Sequence, residues 1–73
     1  MKFFIRLGTM NVSEFEIDSK YDICKIEFTL LEKKTKFFNT KLEAITYIKL
    51  IKQLIGVDLA IMSKEIKNEM EEN

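Results

Sequence analysis

The sequence predicts an α+β domain: a four-stranded antiparallel β-meander followed by two α-helices packed on one sheet face. Three observations carry this. Apolar and polar residues alternate with a two-residue period in the segments 2–7, 13–18 and 23–31. The apolar period changes to helical spacing after Asn39. The turn-forming residues between the alternating runs are few and local, which suits hairpins.

The first strand spans residues 2–7. Phe3, Ile5 and Leu7 share one face, and Lys2, Phe4 and Arg6 the other. Residues Gly8 to Asn11 supply the turn. A second strand over 13–18 puts Phe15 and Ile17 on one face and Glu14, Glu16 and Asp18 on the other. Matching apolar faces sets Ile5 opposite Phe15 and Phe3 opposite Ile17. The same register sets Arg6 opposite Glu14 and Lys2 opposite Asp18, each opposed pair adding a few tenths of a kcal/mol.

Residues 18–22, Asp-Ser-Lys-Tyr-Asp, form the next turn. A third strand runs from 23 to 31. Cys24, Ile26, Phe28 and Leu30 line its core face; Ile23, Lys25, Glu27, Thr29 and Leu31 line the other. A polar turn at 32–35 leads into a short fourth strand at 36–39.

Thr40 followed by Glu43 is a capping-box pattern, in which each residue serves a free backbone N–H of the other. The helix it opens runs from Lys41 to Ile55, with Ala44, Tyr47, Ile48, Ile51, Leu54 and Ile55 on one stripe. Gly56 is the stop. Asp58 opens a second helix, with Ser63 as a rival start; Leu59, Met62, Ile66 and Met70 form its apolar stripe.

Composition narrows the chemistry. The chain has 73 residues, no histidine, no proline, no tryptophan and one cysteine. One domain is the expectation. A domain of this size has a thin stability margin and is helped by a compact core or by self-association. A single cysteine closes no internal disulfide, and without histidine there is no ordinary zinc set. The expectation is therefore no cofactor and no metal.

No run approaches the roughly 20 apolar residues that span a bilayer. The start, MKFFIRL, resembles a signal peptide only until Arg6, and no small-residue cleavage site follows. The expected location is cytoplasmic, with no membrane partner.

Nucleophilic catalysis by a Cys–His or Ser–His pair is excluded, because there is no histidine. Cys24, in phase with Ile26 and Phe28, reads as a buried core thiol. Glu14, Glu16 and Glu27 form a carboxylate group that suits a divalent cation or one shared proton. With Lys2, Arg6 and Lys25 across them, they read instead as a charged solvent face. Gly8 and Gly56 stand alone, so there is no glycine-rich phosphate loop. The expectation is a protein that is not an enzyme.

Two binding readings remain. Two helices shield only one side of a sheet, and alternation places Phe4, Ile23, Leu31 and Phe38 on the other side. With Leu50, which lies off its helix stripe, they make a candidate protein interface. The expected function is a small protein-binding module, most simply a homodimer, of the kind used as bacterial or phage accessory and inhibitor proteins. Richness in lysine, isoleucine and glutamate without proline accords with such a source.

The alternative is weak nucleic-acid binding. Residues 33–53 carry six lysines and a single acid, Glu43, although the whole chain is neutral. Lys33, Lys34, Lys36 and Lys41 flank Phe37 and Phe38, and Lys49 and Lys52 follow on the helix. Lysines hold phosphates while rings stack on bases. The chain has one arginine and no recognition-helix or RNP-like signature, which makes this the weaker reading.

Residues 44–67 resemble the helix–turn–helix hairpin in the C-terminal domain of the bacterial ribosomal stalk protein family. The shared features are an isoleucine- and lysine-rich helix, a Gly-x-x-Leu turn at Gly56 to Leu59, and a following lysine/glutamate segment. The resemblance covers a third of the chain. It implies a second helix here and carries no family assignment, because the strands of this chain all precede it.

Overall fold

The computed structural model describes residues 1–65. Five regular elements follow one another: β1 (Lys2–Leu7), β2 (Met10–Ile17), β3 (Ile23–Thr29), α1 (Lys41–Ile55) and β4 (Ala60–Lys64), with a 3₁₀ turn at Glu32–Lys34 between β3 and α1. The strands form one antiparallel sheet in the order β3-β2-β1-β4. The α+β class stands. The second helix does not, and neither does the sequential meander.

The first strand has the predicted bounds. The second begins at Met10, because Gly8 and Thr9 alone make the connection, with Gly8 at φ +62°. A positive φ is free for glycine, and it permits a two-residue hairpin turn. The register is therefore Arg6 opposite Asn11 and Leu7 opposite Met10. This overturns the pairing of Ile5 with Phe15, Phe3 with Ile17, Arg6 with Glu14 and Lys2 with Asp18. The predicted turn, Gly8 to Asn11, is longer than the observed one, and turn length sets register.

Past this hairpin end, β1 and β2 part, and residues 36–38 enter between them. Phe3 and Phe38 exchange both backbone hydrogen bonds, at 2.9 and 2.7 Å, and the Lys36 N–H donates to the Val12 carbonyl at 2.9 Å. The predicted fourth strand at 36–39 is thus a single bridge. The true fourth strand is β4, paired with the far edge of β1 from Lys2–Lys64 to Arg6–Ala60.

The sequence predicts a second helix opening at Asp58 or Ser63. The Leu59–Met62 spacing fits a helix turn, but Leu59 and Ile61 also share a strand face, and both pack on the core. An unpaired edge on the central strand β1 would strand its N–H and C=O groups. Pairing there outweighs local preference. Asp58 does not cap anything; its carboxylate pairs with Lys52 at 2.6 Å. Ile66 and Met70, the rest of the expected stripe, lie outside the described residues.

Helix α1 keeps its predicted bounds. The Glu43 N–H donates to Thr40 Oγ1 at 3.1 Å. Gly56, at φ +73°, closes the other end by donating its N–H to the Lys52 carbonyl at 2.8 Å. Ala44 and Ile51 are fully buried; Tyr47, Ile48 and Ile55 are half-buried. Leu54 is the exception to the predicted stripe, being 42% exposed, while Leu50 packs on the core.

The core is formed by Ile5, Val12, Ile23, Phe38, Ala44 and Ile51. Burying one such aliphatic side chain is worth about 1.5–3 kcal/mol. Phe38, Phe15 and Tyr47 form an aromatic group at its side, with centroid separations of 4.8–6.5 Å. The Lys36 ammonium lies 5.4 Å from the Phe15 ring.

Candidate contact surface

The face of the sheet away from α1 is not bare. Phe37 packs edge-on against Phe4 with centroids 5.6 Å apart, and the Arg6 guanidinium lies 5.4 Å over the Phe4 ring. Arg6 Nε donates to Asn11 Oδ1 at 2.9 Å. Asn11 Nδ2 donates to Thr35 Oγ1 at 3.1 Å, and Thr35 Oγ1 donates to the Leu31 carbonyl at 3.1 Å. Glu32 pairs with Lys64. The connection from β3 to α1 therefore straps itself across the side that the sequence reading left open.

This moves the predicted interface residues. Ile23 (5% exposed) and Phe38 (3%) lie in the core on the helix side, and Phe4 (8%) is covered by Phe37 and Arg6. Leu50 is half-buried against the core. Leu31, 49% exposed, stays at the surface. The strap also reverses the two phenylalanines, since pairing with Phe3 turns Phe38 inward and Phe37 outward.

A bulge explains the shift at Ile23. Glu16 faces Lys25, but Ile17 faces Ile23, so Cys24 is an extra residue in β3. A bulge changes which residues point inward. Ile23 takes the core position, and Cys24 is exposed rather than buried, its thiol directed at the Glu16 carbonyl.

Leu30, which alternation places on the core face, is at the surface instead. Leu30 is 72% exposed. The strand stops at Thr29, whose hydroxyl accepts the Leu31 N–H at 3.0 Å and draws the chain off the ladder. A threonine directly ahead of a leucine pair is the available signal. One step beyond the Asn11–Thr29 pair lies Met10, 39% exposed. At the other end of β3, Tyr21 is 81% and Ile17 43% exposed. The Asp18 carboxylate holds that turn by accepting from the Lys20 and Asp22 N–H groups.

The lysines are dispersed. Lys33 and Lys34 rim a cleft of about 580 Å³ whose other walls are Ser13, Glu14, Glu27, Phe28 and Thr29. Lys36 lies over aromatic rings. Lys41 opens α1, and Lys49 and Lys52 line a shallow groove with Asp58 and Leu59. Lys52 hydrogen-bonds Asp58 and attracts it electrostatically, which holds the Asp58 carboxyl below its ordinary pKa. Phe37 and Phe38 are both engaged within the chain, so neither ring stands free between the lysines.

Among the described residues, no three histidine, cysteine, aspartate or glutamate side chains come together as a metal-holding group. Nor is any helix there long and apolar enough to cross a membrane. No protein family, curated protein or solved structure matches this chain.

Proposed function

We propose that this chain is a non-enzymatic protein-binding module that works by surface contact and associates with itself. One observation carries the reading: Leu30 and Leu31 stand 72% and 49% exposed together at the end of β3. Single exposed apolar residues are ordinary. Adjacent leucines beside Met10, on a domain too small to hold a large core, form a patch that gains from being covered.

The proposed compartment is the cytoplasm, where an exposed free thiol such as Cys24 is kept reduced. Nucleic-acid binding is the weaker proposal. Its lysines are divided among the 3₁₀ turn, Lys36 of the strap and α1, and its two aromatic rings are occupied.

The test is light scattering after size exclusion over a range of concentrations, with Leu31→Lys as the comparison. The reading expects a mass above that of one chain for the wild type and a shift toward one chain for the variant. A wild type that stays at one chain throughout contradicts self-association.

A further inference from the structure

We propose that a second copy of this chain docks edge to edge on β3, about a two-fold axis through Ile26; this rests on the self-association just argued and specifies its geometry. Among the described residues, β3 is an outer strand of the sheet, seven residues long. Such an edge offers unpaired backbone groups to another chain.

Backbone direction limits how two copies of this edge can meet. The Val12 carbonyl accepts from Lys36, so Val12 turns its hydrogen-bonding groups away from β3. Its neighbour Phe28 therefore turns its own groups outward, toward the open edge. Alternation makes Ile26 outward as well, while Lys25 and Glu27 bond inward to β2.

Charge then selects among the symmetric registers centred on the middle of β3, those that pair most of the strand. An axis through Lys25 would set Lys25 against itself, and an axis through Glu27 would set Glu27 against itself. Like charges directly opposed are unfavourable. An axis through Ile26 pairs Ile26 with Ile26 through two backbone hydrogen bonds. It also places Lys25 opposite Glu27 of the second copy, twice. These are non-hydrogen-bonded positions, where side chains approach most closely.

A feature within one chain supports this register. Glu27 faces Glu14 across β2 and β3, an opposed pair of like charges. Lys25 of the second copy, on the other side of Glu27, adds a counter-charge directly opposite Glu27, beyond Lys33 and Lys34, which rim the cleft beside Glu14 and Glu27. Glu16 already faces Lys25, so each row of four side chains would run Glu16, Lys25, Glu27 and Glu14 across the two chains.

The same axis gathers the exposed apolar residues. Leu30 and Leu31 follow β3, and Tyr21 precedes it. Antiparallel pairing about Ile26 carries the leucine end of one copy to the Tyr21 end of the other. Leu54, 42% exposed, lines a groove with Ile23 and Leu50 beside the same strand. The bulge at Cys24 shortens the regular ladder. A stable interface covers about 1,000 Å² or more in total, so these apolar groups must add to the strand pairing.

The experiment is a charge-reversal mixing test by sedimentation velocity, with circular dichroism confirming the fold of each variant. Lys25→Glu and Glu27→Lys each replace two attractive pairs with two repulsive ones. Each alone should raise the dimer dissociation constant about tenfold or more. Mixed in equal parts, the two variants restore both pairs, and a mixed dimer of near wild-type affinity should form. Glu27→Lys also relieves Glu14, so it should fold at least as well as the wild type and carry the test if Lys25→Glu folds poorly. A wild type that associates as tightly as both single variants overturns the β3 register and leaves self-association standing. Single variants that weaken but do not rescue each other overturn the register too. A wild type that never associates overturns both.

Discussion

Phe38 and Phe3 exchange a pair of backbone hydrogen bonds through which three residues of the β3–α1 connection are wedged between β1 and β2. The wedge places the Phe38 ring within 5.4 Å of Tyr47 and 6.5 Å of Phe15. It thereby ties the sheet to the helix and the strap to both. Phe38→Ala should cost about 3–5 kcal/mol, enough to unfold much of so small a domain. Phe37→Ala, at a half-buried ring, should cost clearly less. Urea denaturation of both variants checks this; a larger loss for Phe37→Ala would contradict the inward placement of Phe38.

Helix α1 starts where Thr40 accepts the Glu43 N–H. Thr40→Ala should lower stability by about 1 kcal/mol, and Thr40→Asp should retain most of it. Thermal unfolding of both reads the difference. No loss in Thr40→Ala would mean that the cap contributes nothing.

Tyr21 sits at φ +64° with its ring 81% exposed. A side chain in the left-handed region costs about 1–2 kcal/mol. The ring that would repay it is little covered within one chain and meets Leu31 of the other copy in the proposed dimer. Tyr21→Gly should therefore raise monomer stability by about 1 kcal/mol while weakening association. Chemical denaturation at low concentration and sedimentation at high concentration separate the two effects. A less stable monomer would contradict the strain.

The Asp58 carboxyl is held below its ordinary value of 3.8, first by its hydrogen bond to Lys52 and then by the lysine charge. A depressed folded value stabilises the fold above the unfolded value, and the effect is lost as pH falls through the folded value. Wild type and Asp58→Asn should thus differ at neutral pH and converge in acid. The pair is exposed, so the difference is small and falls with salt. Carboxyl NMR should place the Asp58 midpoint below 3.8 at low salt and nearer to it at high salt. A midpoint at or above 3.8 at low salt would mean the ion pair does not form in solution.

Local signals made β1 and α1 readable to the residue. Alternation was clean in Lys2–Leu7, and the cap and the glycine bounded α1. What escaped reading was long-range. Residues 59–62 suit a strand or a helix turn, and only the open edge of β1 decides between them. Phe37 and Phe38 are equivalent in sequence until Phe3 selects one. Cys24 shifts the phase of β3 by a bulge whose partner lies on β2. Of the proposed contact surface, Leu31 was legible, because alternation along β3 places it on the face opposite Ile26 and Phe28. Leu30 was not, since its exposure follows from Thr29 ending the ladder.

Amide hydrogen exchange at Ile26 and Phe28, followed as concentration rises, tests the docking of a second copy most directly. Both N–H groups face the open edge in one chain and are hydrogen-bonded between chains in the dimer. Exchange at these two should slow with concentration, while Lys25 and Glu27, already bonded to β2, should change far less. Fast exchange at Ile26 in a sample shown to be dimeric would place the contact elsewhere.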